Sequence, residues 1–293
     1  MTAHEGTVAK TITRRLGAER IAAQIDNLKP LPSIAVDAMK LVDDPNSDSD
    51  SIEKKLSADP VITARLFKLA NSAFFSKGTP SKTVSQAITR LGLKSVRNII
   101  LCACAGDVMA QPLANYPYDG FGAWTHAMTV ALTAPILNEK TGGPPARGDE
   151  LFLAGLLHDC GKMITDSLME GRCAAVGQHG LAAEMHLCGT SHPEVGLMIA
   201  DKWNLPDYVR ACIRDHHNES FELEFKEQIA LIALANFFVN SKSVGLLPDS
   251  RCDEAFNSAA LDALVLSPDS FSEICLELDE QFPEIVNLAG QFL

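Results

Sequence analysis

The sequence predicts an all-α protein, and three observations support that fold class. Apolar residues recur at helical spacing from one end of the chain to the other. Alternation with a period of two residues, the pattern of a half-buried strand, is never sustained. The 293 residues are 46% hydrophobic but only 6% aromatic, a balance typical of packed aliphatic helices. A chain of this length can bury a substantial core.

The first part of the chain is expected to form an arm followed by a helical lobe. We expect residues 1–18 to be a flexible arm and residues 19–111 to be an N-terminal helical lobe. In that lobe Asp59 is a good N-cap and Pro60 suits the first helical position, so a helix should begin there. The apolar stripe of this helix would consist of Ile62, Leu66, Leu69, Ala70 and Phe74.

Two further features of the lobe concern helix ends. Thr83 and Gln86 have the spacing of a capping box, and Gly92 suits the end of the helix that they open. The polar stretch DDPNSDSD, residues 43–50, is expected to be a loop. Another helix should follow Gly92, through VRNIILCACAGDVMA at 96–110.

The second part of the chain is expected to hold a second lobe and a cap. QPLANYPYDGFG, residues 111–122, contains two prolines and two glycines and therefore indicates a connector. Residues 119–241 should form the second helical lobe, which the loop TGGPPARGD at 141–149 interrupts. Two weaker helical patterns in residues 242–293 predict a C-terminal helical cap.

Charge and cysteine usage limit the classes of function. The chain has 25 basic and 37 acidic residues, and its net charge of −12 argues against nucleic-acid binding through bulk electrostatics. No apolar run is long enough to cross a membrane, and the N-terminus has no apolar signal-peptide core. None of the eight cysteines forms a Cys-x-x-Cys pair, which favours reduced thiols in a cytoplasmic protein. A metal site at Cys102 and Cys104 stays open as an alternative.

Histidines in the second lobe indicate a metal site. Of the eight histidines, His126, His158, His192, His216 and His217 lie on or beside core-facing helical stripes. Burying several imidazoles without compensation is costly, whereas a metal ion compensates them together. Asp159 adds an oxygen donor, and mixed nitrogen and oxygen ligation suits Fe, Mn, Ni, Co or Zn. Each histidine alone could equally be a hydrogen-bonded core residue, and His179 and His186 are expected to be ordinary surface or groove residues.

The order of motifs in the chain resembles a known superfamily. WTH at 124–126, HDCGK at 158–162, HPEVG at 192–196, WNLP at 203–206 and HH at 216–217 are similar to motifs of the HD superfamily of metal-dependent phosphohydrolases. Within it the chain most resembles the HDOD group, the HD-related output domains of bacterial signalling. LPS at 31–33, the stretch from Asp59 to Ser72 and the stretch from Ala87 to Gly92 carry that closer resemblance. The resemblance covers roughly residues 20–240 and implies an HD-domain-like helical bundle with an additional N-terminal helical lobe.

The resemblance also implies a ligand set of one or two divalent transition metal ions. His126, His158 and Asp159 would hold the first ion, together with a residue on the helix QIALIALANFFVN at 228–240. The inward face of that helix places Asn236 where the superfamily has aspartate, unless the alignment is offset. In the related HD-GYP phosphodiesterases further histidines hold a second ion, and these are matched here by His192, His216 and His217. Asp159 would bridge the ions and Lys162 would face a substrate phosphate, which makes these two the candidate catalytic residues.

Lys162 also has a simpler interpretation. His158 and Lys162 are four residues apart, so we expect them on one helical face. A lysine near the C-terminus of such a helix interacts favourably with the helix dipole and needs no ligand.

Two functions remain open from the sequence. The first is a signal-transduction module that acts through protein partners or a bound ligand, with the HD-like half keeping a metal site. The alternative is a phosphohydrolase or phosphodiesterase acting on a nucleotide or another small phosphoester. Asn236 in place of a carboxylate weakens the catalytic case. NESFELEF at 218–225 lacks the Gly-Tyr-Pro signature of the HD-GYP family, so cyclic di-GMP hydrolysis is not expected.

Overall fold

A computed structural model describes residues 19–28, 32–44, 46–72, 75, 79–169, 173–221, 224–247 and 258–291. Within these ranges the chain is built from helices and has no strand beyond an isolated bridge between Tyr118 and Leu246. The prediction of an all-α fold is therefore confirmed. The expected arm at 1–18, Phe74 of the predicted stripe and Gly78 lie outside the described residues.

The first six helices precede the predicted connector. They are α1 (residues 19–27), α2 (Ser33–Asp43), α3 (Ser49–Leu56), α4 (Pro60–Ala70), α5 (Val84–Leu91) and α6 (Leu93–Met109). Asp59 caps α4 as predicted, because its carboxylate accepts hydrogen bonds from the amides of Val61 and Ile62 at 2.9 and 3.1 Å. The four described members of the predicted stripe on α4 are all buried.

Two details of this region differ from the prediction. The polar stretch at 43–50 ends in the first turn of α3, because the side chain of Asp48 caps that helix by accepting from the amide of Ser51 at 2.7 Å. The capping box at α5 is only half formed. Thr83 Oγ1 accepts from the amide of Gln86 at 3.1 Å, but Gln86 Oε1 accepts from the amide of Lys82 at 2.8 Å instead of that of Thr83.

The remaining helices follow the connector. They are α7 (Gly122–Lys140), α8 (Gly148–Leu157), α9 (Lys162–Leu168), α10 (Cys173–Cys188), α11 (His192–Lys202), α12 (Asp207–Asp215), α13 (Lys226–Ser241), α14 (Ser258–Leu264) and α15 (Pro268–Gly290). A 3-10 turn, Pro145–Arg147, lies in the predicted loop before α8. The break in α10 falls at Gly180, whose φ of 50° is left-handed. None of the described helices is long and apolar enough to cross a membrane.

A tight turn separates α8 from α9, so the prediction that His158 and Lys162 share one helical face is wrong. Lys162 N–H bonds to the Asp159 carbonyl at 2.9 Å and Met163 N–H to the Cys160 carbonyl at 3.3 Å, the three-residue spacing of a 3-10 turn. Gly161 lets α11 pack closely against this turn, since a Cβ at residue 161 would overlap the His192 carbonyl oxygen. Residues three apart eclipse in such a turn, which places Lys162 beside Asp159.

The core is continuous along the molecule. One cluster of buried apolar residues extends from Ile21 in α1 to Ala289 in α15 and includes members from both predicted lobes. A second cluster joins α7, α8, α13 and α15. The division into an N-terminal lobe, a second lobe and a cap stays a prediction. The packing brings together α7, α8, α11, α12 and α13, which surround one cluster of histidines.

Candidate metal centre

Five histidines and one aspartate converge at the centre of the second part of the chain. His126 lies within α7, His158 and Asp159 lie in the turn after α8, His192 begins α11, and His216 and His217 follow α12. Neighbouring rings form a chain: the centroids of His126 and His158 are 5.6 Å apart, those of His158 and His216 5.0 Å, and those of His216 and His217 4.1 Å. All but His217 are buried, and His217 is partly buried.

The first part of the cluster, which we call the three-histidine half, consists of His192, His216, His217 and Asp159. His192 Nε2 lies 3.4 Å from His216 Nε2 and 3.2 Å from His217 Nε2. Asp159 Oδ1 lies 3.1 Å from His192 Nε2 and 3.7 Å from His216 Nε2. One donor atom from each of these four side chains therefore lies in a space small enough for a single ion.

Outer hydrogen bonds fix which nitrogens carry protons. His158 Nδ1 is 2.7 Å from the Gly155 carbonyl oxygen, and His216 Nδ1 is 3.0 Å from those of Cys212 and Ile213. A carbonyl oxygen can only accept, so both Nδ1 atoms donate and both Nε2 lone pairs face the cluster. His192 Nδ1 lies 2.9 Å from both carboxylate oxygens of Glu184 and donates there.

The second part, the two-histidine half, consists of His126, His158, Asn236 and Asp159. His126 Nε2 lies 3.0 Å from Asn236 Oδ1 and 3.7 Å from Asp159 Oδ2. His158 Nε2 lies 3.3 Å from the same oxygen of Asp159. Asn236 is buried on the inward face of α13, and its oxygen also accepts from Asn240 Nδ2 at 3.2 Å. Asn236 thus occupies the position that the sequence suggested, opposite His126.

Lys162 is held against the shared aspartate. Its Nζ donates to Asp159 Oδ2 at 2.5 Å and to the Tyr118 hydroxyl at 3.3 Å, and it lies 5.7 Å from the centres of the Tyr116 and Tyr118 rings. The alternative of a lysine at a helix C-terminus is wrong, because Lys162 is the first residue of α9. Its charge is compensated by the carboxylate and by two aromatic faces.

The electrostatics favour an ionised carboxylate and neutral imidazoles at His216 and His217, whereas they favour charge on the His192 ring. Burial, reinforced by the neighbouring histidines, lowers the pKa of His216 and of His217 to about 3. Burial also acts to raise the pKa of Asp159, but His158, Lys162 and His192 together hold it well below its usual value. Burial opposes charge on His192, yet Glu184 and Asp159 raise its pKa above the usual value. Neutral imidazole and ionised carboxylate are the forms that bind metal.

The donor atoms fit a metal ion. Asp159 Oδ1 and His158 Nε2 are buried and make no hydrogen bond of normal geometry to the described residues. Because His192 and His216 carry their protons on Nδ1, their facing Nε2 lone pairs repel unless a positive charge lies between them. A second proton on His192 can bridge only one contact, whereas a divalent ion serves all four donors. Two imidazoles bound tetrahedrally to one ion have nitrogens roughly 3.3 Å apart, close to the separations here.

Glu184, Tyr116 and Tyr118 belong to the site and were not predicted. Glu184 is buried, accepts from the His192 amide at 2.6 Å as well as from its ring, and accepts from the Tyr116 hydroxyl at 3.0 Å. Burial acts to raise the pKa of Glu184, but His192 outweighs it and lowers the pKa to about 2. The available signal was a lone acidic residue in the apolar stretch LAAEM at 181–185.

The other candidate groups lie outside the cluster. His186 is exposed, as expected, and the His179 side chain lies outside the described residues. Cys102 and Cys104 are buried in α6, and neither belongs to a group of potential ligands in the described ranges. Burial raises the pKa of the Cys102 thiol well above its usual value. These cysteines therefore pack as small apolar side chains.

The whole chain was then compared with known proteins. The model of the HDOD domain family matches residues 28–219. The chain belongs to the HDOD family. The match covers α2 to α12 and so includes every histidine of the cluster. This confirms the resemblance that the order of motifs indicated.

Individual proteins are similar to this chain in sequence or in structure. The chain is 29% identical over 240 residues to an uncharacterized protein of Treponema pallidum (strain Nichols), covering 78% of this chain but only 45% of that protein's length. An HDOD domain protein of unknown function from Geobacter sulfurreducens is similar in structure, with a TM-score of 0.73, 25% identity and coverage of 97% of this chain and 99% of that one. A candidate phosphohydrolase from Shewanella amazonensis SB2B shares the fold, with a TM-score of 0.67, 20% identity and coverage of 94% and 98%.

Proposed function

We propose that this HDOD protein is a signal-transduction module whose histidine cluster binds one or two divalent transition metal ions, and which acts through protein partners or a bound ligand. The observation that carries the proposal is the three-histidine half. There Asp159 Oδ1 and the Nε2 atoms of His192, His216 and His217 face one another at short range. Such a group of electron pairs is stable only around positive charge.

The residues that would hold the ions follow from the two halves. His192, His216, His217 and Asp159 would hold one ion, and His126, His158, Asn236 and Asp159 the other. Three imidazoles and a carboxylate suit Zn, Fe, Mn, Co or Ni. Glu184 and the carbonyls of Gly155 and Cys212 orient the rings through their Nδ1 protons, as partners of metal-ligating histidines commonly do.

Burial and one substitution favour a module over an enzyme. Asp159 is only 7% exposed, and His126, His158, His192 and His216 are at most 2% exposed. Lys162 and His217, the more accessible members of the group, are themselves partly buried. Asn236 brings no negative charge to the two-histidine half, and Lys162 is engaged by Asp159. Together these features support a centre that organises the fold around a ligand-binding or partner-binding surface.

A phosphohydrolase acting on a nucleotide or other small phosphoester is the second candidate, and the position of Lys162 favours it. Its ammonium group lies beside the shared carboxylate and the Tyr118 hydroxyl, at the more accessible edge of the cluster. There Lys162 could stabilise charge on a phosphate oxygen and Tyr118 could orient that oxygen. Bound metal would supply Lewis-acid activation and a more acidic water.

The test combines metal content with turnover. The full chain, purified without a metal-affinity step, should contain at least one transition metal ion per chain by inductively coupled plasma mass spectrometry. The same preparation, supplied with Mn, Fe, Co, Ni or Zn, should not hydrolyse bis-p-nitrophenyl phosphate or a panel of nucleotides. Turnover that disappears in both His158→Ala and Asp159→Asn would instead establish the phosphohydrolase. A metal-free protein that cannot be loaded would contradict both proposals.

A further inference from the structure

Tyr116, in the connector at 111–122, is linked to the metal centre by hydrogen bonds through Glu184. The Tyr116 hydroxyl oxygen lies 3.0 Å from Glu184 Oε1 and 2.6 Å from Thr165 Oγ1. The side chain is 4% exposed and belongs to an apolar cluster with Leu113 and Ala183, the neighbour of Glu184 in sequence. Tyr116 therefore joins the connector to the carboxylate that holds the His192 ring.

The direction of each hydrogen bond in this network follows from Glu184. Its Oε2 accepts from the His192 amide at 2.6 Å, and both of its oxygens lie 2.9 Å from His192 Nδ1. The carboxylate is thus an acceptor, so Tyr116 donates its single proton to it. Thr165 must then donate to Tyr116 across the 2.6 Å contact. The result is a directed chain of donors that ends at the carboxylate under His192.

The position of Glu184 depends on side-chain contacts because its helix is interrupted. Helix α10 breaks at Gly180, and Glu184 lies on the short segment 181–188 that follows the break. This segment is not part of the five helices that surround the histidine cluster. Among the described residues, Glu184 Oε1 accepts from Tyr116 and from His192 Nδ1. Without the tyrosine hydroxyl, that oxygen would keep only the contact that it shares with Oε2.

Tyr116 is itself held in place by contacts that do not involve Glu184. The preceding residue, Asn115, donates from its amide to Asp166 Oδ1 at 2.7 Å and from Nδ2 to the Asp166 carbonyl at 3.0 Å. The carbonyl of the following residue, Pro117, accepts from the Leu247 amide at 2.9 Å. Because both neighbours are anchored, Tyr116 can fix the position of Glu184.

We propose that Tyr116 is a positioning residue of the metal centre, which acts through Glu184 to hold the His192 ring in the orientation that a metal ion requires. The inference rests on the proposed function, since it concerns the metal affinity of the three-histidine half. A carboxylate that turns away from His192 would leave the Nδ1 proton without its acceptor and the ring free to rotate. Groups that support the outer partners of a metal site set its affinity in this way.

Titration of the metal-free full chain with Co²⁺ tests the proposal, because the visible absorption of bound Co²⁺ depends on the number and geometry of its ligands. Tyr116→Phe should lower the affinity of the three-histidine half by about three- to tenfold, the effect of one lost hydrogen bond. It should also shift the absorption bands of that half and leave the affinity of the two-histidine half unchanged. The variant should fold, because the ring is kept and Thr165 Oγ1 lies 3.3 Å from another acceptor, the Gly161 carbonyl.

Tyr208→Phe is the matched control for the loss of a buried tyrosine hydroxyl. The Tyr208 side chain is also buried, and its hydroxyl donates to Asn98 Oδ1 at 3.2 Å, away from the histidine cluster. Its removal should leave both the affinity for Co²⁺ and the absorption bands as in the wild type. An equal loss of affinity in Tyr208→Phe and Tyr116→Phe would mean that only general stability had changed, and would overturn the proposal.

A double-mutant cycle with Glu184→Ala tests whether Tyr116 acts through Glu184. The two losses of affinity should not add, so the double variant should bind Co²⁺ as Glu184→Ala does. Additive losses would overturn the proposal, and so would a Tyr116→Phe variant that binds Co²⁺ like the wild type. In both cases the wild type still binds Co²⁺ and the proposed function stands. A wild-type protein that binds no Co²⁺ would contradict the proposed function and this inference together.

Discussion

The two halves of the histidine cluster share Asp159 but differ in the chemistry of their donors. The three-histidine half sets three imidazoles against the carboxylate, and its central ring, His192, is oriented by the buried Glu184. The two-histidine half has two imidazoles, and its last position is the amide of Asn236. An ion in the first half would therefore meet one more imidazole than an ion in the second.

This difference in donor atoms would give the two halves of the cluster different affinities for a metal ion. An amide oxygen can bind a metal ion, but it brings no charge to offset the ion's own charge. In the two-histidine half the shared carboxylate is also engaged by Lys162 through Oδ2, the oxygen nearer to His126 and His158. We therefore expect unequal occupancy of the two halves, and five substitutions test that expectation.

The largest effect is expected for Asp159→Asn. This change removes the only carboxylate shared by the two halves, so metal affinity should fall by more than about a hundredfold, beyond the loss typical of an outer-shell partner. Elemental analysis of the dialysed protein measures the metal that it retains. Asp207→Asn is the control, because that carboxylate is 88% exposed and remote from the cluster. Retention of both ions by Asp159→Asn would contradict the shared role of this residue.

The second largest effect should distinguish the metal affinity of the three-histidine half from that of the two-histidine half. His216→Ala should abolish the tighter class of sites in isothermal titration with Zn²⁺ or Mn²⁺, because it removes one of three imidazoles. His126→Ala should leave that tighter class intact and remove only the weaker one. The exposed His186 provides a control, His186→Ala, that should change neither class. If His216→Ala and His126→Ala lost the same class of sites in the titration, the two halves would form a single metal site.

A smaller loss of metal affinity is expected for Glu184→Gln. The His192 ring loses the carboxylate that holds its Nδ1 proton, so affinity of the three-histidine half should fall by about 10–100-fold with its stoichiometry unchanged. Titration of the metal-free protein measures this change. Glu194→Gln on α11 is the comparison, since that side chain caps the helix through Ser191 and does not contact an imidazole. An unchanged affinity in Glu184→Gln would exclude an orienting role.

The smallest expected effect is a gain in metal affinity. Asn236→Asp restores a negative charge opposite His126 and should strengthen the weaker class of sites by about tenfold, as added ligand charge does in other metal sites. The two classes should then approach equal affinity in titration. Asn46→Asp, at an exposed loop position before α3, is the control for a change of amide to carboxylate away from the cluster. A decrease in affinity in Asn236→Asp would mean that this position does not face a metal ion.

The sequence predicted the members of the cluster better than their local geometry. The order of motifs identified His126, His158, Asp159, His192, His216 and His217, because each motif is a local signal readable from neighbouring residues. The break between α8 and α9 was missed, since the stripe beside His158 continues at helical spacing and suggests one helix. At this turn Gly161 packs against His192, a contact between residues 31 positions apart that periodicity cannot show.

The role of Glu184 could not be predicted from the sequence either. Its role depends on the folding of α10 against the start of α11, which brings an acidic side chain under the ring of His192. An acidic residue in a helical pattern normally predicts a solvated face. Likewise Tyr118 lies in a stretch that the sequence indicated only as a connector. Partners that tertiary packing alone brings to a site leave no regular pattern in the chain.

Helix α7 carries residues of the cluster and also lines a cavity of about 250 Å³ that α4 and α6 border as well. Trp124 and Met128 line the cavity on either side of His126, which contacts Asn236 across the cluster. A stiff helix cannot move at residue 124 while staying fixed at residue 126. Thermodynamic linkage then requires any occupant of the cavity that shifts this segment to change metal affinity by the same factor by which the metal changes the occupant's affinity. Any such coupling would pass through the single turn of α7 that joins Trp124 to Met128.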